Sequence, residues 1–130
     1  MNTKNLYGCE KMGTLTIGVF SSLIGSMNLD FALKLAEAAL AKGHQVNLWL
    51  SSNATTLARK GQKEFKDYSY LEGNLRNLIK KGLVIATCEA CTEARGIGPN
   101  DVIEGITFSA MDWYLAKAAK SDRVLHIGAE

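Results

Sequence analysis

Proline is nearly missing from this sequence. One proline in 130 residues excludes proline-rich recognition segments and stiff extended linkers. Charge of one sign is scarce as well. Fifteen Lys and Arg stand against 13 Asp and Glu, a net of +2, which is too mild to point to nucleic acid as a direct partner. The three cysteines are an odd number, which argues against a secreted disulfide framework and for reduced thiols. No apolar run approaches the ~20 residues that a membrane span needs. Residues 1–13 are polar and mixed and lack the apolar core of a secretory signal. The expected location is therefore the cytoplasm, with no membrane partner.

What remains is an ordinary globular composition, 47% hydrophobic and 22% charged, long enough to build its own core. The chain reads as one domain over 14–130, preceded by a flexible extension over 1–13, with no internal repeats. Residues 15–20 (Leu-Thr-Ile-Gly-Val-Phe) read as a strand, followed by a small-residue loop, Ser21 to Ser26. Asn28 is expected to cap a helix running to Lys42 and stopped by Gly43. Residues 45–50 form the next strand. The polar, basic stretch 51–68 reads as a solvated loop and weak helix, and Asn53-Ala54-Thr55 within it matches a glycosylation sequon by coincidence. A helix over 70–81 closes at Gly82. Residues 83–87 (Leu-Val-Ile-Ala-Thr) form an apolar run that fits a strand covered on both faces. A short helix over 88–95, a brief strand over 101–106, a helix from Ser109 to Lys120 opened by a Ser109/Asp112 capping box, and a last strand over 124–127 complete the order. Strands alternating with helices predict an α/β fold, a mainly parallel sheet of about five strands with helices on both faces.

The strongest chemical signal is Cys88-Glu89-Ala90-Cys91, set where a buried strand passes into a helix. In open α/β sheets the site lies beyond the carboxyl ends of the strands. A thiol in the first helical turn meets unpaired N–H groups that favour the thiolate. On this reading Cys88 is the reactive thiol and Arg95, two turns on, folds back to add positive charge. Two inert buried cysteines are the blander alternative. A zinc site lacks a second ligand pair, since only Cys9, His44 and His126 remain, so no metal and no cofactor are expected. The loop Ser21–Ser26 carries only a weak anion-binding signal. On the helix from Ser109, the three- and four-residue steps place Met111, Tyr114, Leu115 and Ala118 inward. Trp113 then points outward as an interface anchor.

These residues resemble the DsrE/DsrF/TusD group of sulfur-transfer proteins over about 14–128. The run Ala38-Ala39-Leu40-Ala41-Lys42-Gly43-His44-Gln45-Val46, the spacing from Cys88 to Arg95-Gly96-Ile97, and the closing segments Gly105-Ile106-Thr107-Phe108-Ser109 and Ser121-Asp122-Arg123-Val124 carry the likeness. The resemblance implies a flavodoxin-like three-layer fold, a homotrimer or homohexamer, and Cys88 as a persulfide carrier between sulfur-donor and sulfur-acceptor proteins, in sulfur oxidation or tRNA thiolation. The sequence departs from the pattern after the second strand, at Leu50 to Thr55. Cys91 is also additional, and it permits an internal disulfide that releases sulfur. Two alternatives stand beside the sulfurtransferase reading: a dithiol oxidoreductase using Cys88 and Cys91, and a non-catalytic structural subunit of a sulfur-relay complex.

Overall fold

The computed structural model describes residues 12–24, 26–64 and 70–128. Strands and helices alternate from end to end: β1 (Thr14–Val19), α1 (Asn28–Ala41), β2 (Gln45–Leu50), α2 (Glu72–Lys80), β3 (Val84–Cys88), α3 (Glu89–Ala94), β4 (Ile106–Ser109), α4 (Met111–Ala119) and β5 (Arg123–Ile127). Short 3₁₀ helices occupy Ser52–Ala58 and Pro99–Asp101. Every strand pair is parallel, and the order across the sheet is β4-β3-β2-β1-β5. The α/β architecture is thus the expected one, with the sheet parallel throughout.

That order decides where the cores form. From β1 to β4 each crossover steps in one direction, and right-handed crossovers then put their connections on one face. Ile17, Val19, Val46, Leu48, Leu50 and Ile85 point to that face and pack under α1, α2 and the Ser52–Ala58 helix. The return from β4 to β5, which lies beside β1, brings α4 across the opposite face. A smaller cluster forms there from Trp49, Ala86 and Tyr114, with Phe20, Cys88 and Trp113 against it. Gly18 of β1 lets α4 come this close, because a Cβ there would stand 2.5 Å from the Tyr114 ring.

Several local expectations change. Asn28 opens α1 as its first residue rather than capping it: its N–H donates to Ser26 Oγ at 3.0 Å. The brief strand expected over 101–106 begins only at Ile106, because Asp101 closes a 3₁₀ turn by accepting the Gly98 N–H. Ser109 ends β4 and does not cap α4, whose flanking residue is Ala110. Tyr114 and Trp113 turn inward, whereas Met111 and Leu115, expected inside, are exposed. The reason is that the rings of Trp113 and Tyr114 stack with Trp49, at 5.9 and 6.1 Å between centroids. Gly13, counted with the extension, is already tied down, since its carbonyl accepts the Gln45 N–H and its own N–H donates to His44 Nδ1. Met12 is described as well, and residues 1–11 of the expected extension lie outside the described residues.

The stretch after β2 is the largest correction. Ala54, Thr55, Leu57 and Ala58 are buried, so its first half is core rather than a solvated surface. Further along, Gly61 and Gln62 are pinned by Glu72, whose Oε1 accepts their N–H groups, each at 2.9 Å. Glu72 Oε2 takes Nε and Nη2 of Arg76, and Nη1 of Arg76 reaches Glu104 at 2.7 Å. Burial pushes the Glu72 carboxyl up, but Arg76 and the two amides outweigh it and hold it below the ordinary value. Arg76 holds the exposed Glu104 carboxyl at about 2.

Two outcomes follow from this packing. Gly18→Ala forces Tyr114 off the sheet and costs about 1–3 kcal/mol in urea unfolding. Both carboxylates have folded-state pKa values below their unfolded ones. Their contribution is therefore complete above the unfolded value of about 4.5 and is lost as pH falls toward the folded values. Unfolding midpoints measured between about pH 5 and pH 3 drop in the parent chain and drop less in Arg76→Ala.

Candidate functional site

The parallel register of β2 and β3 sets Leu50 opposite Thr87. The chain leaving β2, Ser51-Ser52-Asn53, therefore emerges beside the chain leaving β3, Cys88. Cys88 closes β3 with extended backbone (φ −64°, ψ 118°) and stands at the entry of α3. Cys91 follows one turn later, and both thiols are free and half-buried. Thr92 fixes this turn. Its hydroxyl donates to the Cys88 carbonyl at 2.6 Å and meets the Thr87 hydroxyl at 2.8 Å.

The two thiols lie one helical turn apart at the entry of α3, and each shifts the other's ionisation. Burial and the neighbouring Cys91 push the Cys88 thiol up, against the Cys91 and Ala90 N–H groups that favour its anion. Cys91 is shifted the other way. Burial opposes ionisation there too, but the Cys88 thiol, the Ser52 N–H, the Ser51 hydroxyl and the Arg95 charge together hold it below the ordinary value. The Ser51 Oγ to Cys91 Sγ distance is 3.8 Å. Helix-entry amides thus favour the Cys88 anion as expected, yet of the two thiols it is Cys91 that is held below its ordinary value.

Arg95 also differs from expectation. Its Nε and Nη2 donate to Asn53 Oδ1 at 3.1 and 2.8 Å, and its Nη1 donates to the Cys91 carbonyl at 2.9 Å. The guanidinium is held across the mouth of the β2 loop, where it serves Cys91. Asn53, noted in the sequence within a chance sequon and within the departure at Leu50 to Thr55 but given no role there, is its anchor. Ser52 has φ 53° and is the one non-glycine residue at positive φ among the described residues. Such a conformation costs on the order of 1–3 kcal/mol and persists where surrounding contacts enforce it. Ser51, Ser52 and Asn53 escaped the sequence reading. The rule that sites gather where neighbouring strands end, applied to β2 as well as β3, is the signal that finds them.

On its other side Cys88 packs against Trp49 and Trp113. His126 lies on the outer strand β5, stacked on Phe20 at 4.2 Å, with Nδ1 3.4 Å from Tyr114 Oη. His44 is at the amino end of the sheet, away from the cysteines. Cys9 and Gly25 lie outside the described residues. In the Ser21–Ser26 loop the hydroxyls of Ser21, Ser22 and Ser26 accept from Asn28 Nδ2, the Ile24 N–H and the Asn28 N–H, so they serve the loop itself. Among the described residues no three His, Cys, Asp or Glu side chains gather to hold a metal ion, and no helix is long and apolar enough to cross a membrane.

Comparison with known proteins agrees with this picture. The model of the DsrE/DsrF-like family matches residues 16–127. An uncharacterized protein of Methanocaldococcus jannaschii is 37% identical over 110 residues, covering 85% of this chain and 96% of that protein. Protein YchN of Escherichia coli K12 is 29% identical over 104 residues, covering 80% and 85%. The crystal structure of YchN superimposes with a TM-score of 0.81 at 26% identity, over 88% of this chain and 99% of that one. A protein of unknown function from Methanobacterium thermoautotrophicum shares the fold, with a TM-score of 0.70 at 12% identity over 87% and 97%.

The electrostatics of the pair give a direct outcome. At neutral pH iodoacetamide labels Cys91 faster than Cys88, with a rate midpoint below the ~8.5 of a free thiol. Arg95→Gln moves that midpoint up. In Cys91→Ser, Cys88 loses the neighbour that raises it, and its own midpoint falls; peptide mapping after timed labelling reads all three.

Proposed function

This chain belongs to the DsrE/DsrF-like family, and on that footing we propose that it relays sulfur as a protein-bound persulfide carried on Cys88. The supporting observation is the placement of Cys91 one turn after Cys88 at the entry of α3, with the Ser51 hydroxyl 3.8 Å from the Cys91 sulfur. It gives Cys88 a neighbouring proton acceptor. As the Cys88 sulfur attacks the terminal sulfur of a donor persulfide, R–S–SH, its proton passes to the Cys91 thiolate. The donor S–S bond breaks and the donor leaves as the thiolate RS⁻. Cys88 then holds S–SH, and charge and atoms balance. An acceptor thiol that attacks the terminal sulfur returns Cys88 to its starting state. Arg95 is a positioning residue in this scheme, since it favours the anionic form of Cys91 from its seat on Asn53.

The partners are a sulfur-donor protein and a sulfur-acceptor protein. Free thiols suit a reducing compartment, the cytoplasm. A homotrimer or homohexamer accords with the α4 side of the sheet, where Met111, Leu115, Val84 and Val124 are exposed. Apolar surface of this kind marks an association site.

Mass analysis of the reduced protein after brief exposure to a small-molecule persulfide reads the carrier step. One sulfur atom is gained on the Cys88 peptide. Cys88→Ser abolishes the gain and Cys9→Ser leaves it intact. Loading of Cys88→Ser at the parent rate overturns the assignment. For assembly, Leu115→Glu lowers the sedimenting mass relative to the parent chain; a parent chain that already sediments as a monomer at micromolar concentration removes the oligomer from the reading.

A further inference from the structure

A bystander cysteine has no use for the surroundings that Cys91 has. Two groups from a different part of the chain, the Ser51 hydroxyl and the Ser52 amide, converge on it, and the Arg95 guanidinium at the end of its own helix is held beside it by Asn53. Ser52 holds a left-handed backbone conformation that a serine rarely adopts. The β2 loop thus meets Cys91, with its Ser51 hydroxyl 3.8 Å from the sulfur and its Ser52 N–H favouring the anion.

Resting on the carrier reading, we infer that Cys91 is a second working thiol that discharges the Cys88 persulfide as inorganic sulfide. After loading, Cys91 gives up to water the proton it received. Its thiolate then attacks Cys88 Sγ, forming the Cys88–Cys91 disulfide while the Sγ–S bond of the persulfide breaks and HS⁻ departs. Sulfane sulfur is reduced to sulfide and the two cysteines are oxidised to a disulfide. A dithiol reductant, small or protein-borne, restores both thiols and leaves as its own disulfide.

Two features favour discharge over passing the outer sulfur to Cys91. Thiol–disulfide exchange proceeds faster when the leaving sulfur is the weaker base. Attack on the outer sulfur would expel the Cys88 thiolate, the anion its surroundings disfavour, whereas attack on Sγ expels hydrosulfide. The attacking sulfur also lies one helical turn from Cys88, a spacing at which side chains are neighbours, so a shift of the first turn of α3 brings the pair to disulfide geometry. The substrate class is therefore any persulfide able to load Cys88, and the product is free sulfide, usable by an acceptor that lacks a thiol of its own.

The test uses the full-length reduced protein, freed of reductant without air, given one equivalent of glutathione persulfide, and followed for sulfide and for intact mass. The parent chain releases sulfide, and its product lacks two hydrogens relative to the reduced form and carries no added sulfur. Cys91→Ser loads Cys88 and keeps the sulfur, with sulfide release at least tenfold slower. Asn53→Ala, which retains both thiols, is followed after loading is complete, and its Cys88 persulfide releases sulfide roughly three- to tenfold more slowly than the parent's, because less of Cys91 is thiolate. Equal persulfide lifetimes in the parent chain and Cys91→Ser overturn the discharge step and leave the carrier reading standing. Recovery of the added sulfur on the Cys91 peptide does the same. If Cys91→Ser never gains sulfur, the carrier reading itself fails and takes the discharge step with it.

Discussion

The pairing of β2 with β3, Leu50 against Thr87, is the contact on which the site depends. Parallel neighbours end on the same side of the sheet, so the segments that leave them are brought together however far apart they are in sequence. Ser51 and Cys91 are 40 residues apart and meet at 3.8 Å. A slip of the register by one residue would turn Trp49 and Ala86 to the other face. It would also separate the Ser52 amide from the cysteine pair. The buried Leu48, Leu50 and Ile85 beneath α1 and α2 hold that register, because only one phase of the alternation buries them.

The opposite face is built on a narrower basis. One helix of nine residues, α4, covers a sheet of five strands. It packs closely only because Gly18 has no side chain to meet Tyr114. Around that point the rings of Trp49, Trp113 and Tyr114 stack, and Lys117 sits over Trp113 at 5.4 Å. Beyond it Val84 and Val124 are exposed. Cys88 is thus at a boundary, with aromatic rings on one side and the polar β2 loop on the other. This asymmetry keeps the proton on Cys88 and favours the anion on Cys91. A thiol against aromatic surface resists ionisation, while a thiol facing amides, a hydroxyl and a guanidinium accepts it.

A second polar system steadies the same region from below. Glu72 binds the Gly61 and Gln62 amides and, through Arg76, reaches Glu104. This ties α2 to the chain that follows the Ser52–Ala58 helix and to the approach to β4. The 3₁₀ segment between them is buried at Ala54, Leu57 and Ala58. The strained Ser52 is therefore held from both sides, by the sheet before it and by this packed turn after it. Its conformation is a consequence of tertiary packing, since nothing in the local sequence prefers it.

Much of the architecture was legible in the chain itself. Apolar runs of strand length alternate with helical stretches, and Gly43, Gly82 and Gly96, all at positive φ, stand where the helices stop. Those are local properties, decided by side-chain periodicity and backbone freedom within a few residues. The cysteine pair at a strand-to-helix junction was legible for the same reason. Which sulfur carries the charge was not, because the groups that decide it, Ser51, Ser52 and Asn53, lie in another part of the chain and meet Cys91 only once β2 and β3 pair. The orientation of α4 was likewise hidden. Periodicity set Leu115 inward and Trp113 outward, and the structure reverses the two. Trp49 and the gap at Gly18 made that choice, and they belong to two other strands. The sequence by itself determined the elements and the position of the thiols. The tertiary structure decided their surroundings, because electrostatic shifts and ring packing act through space and the sheet sets what is near.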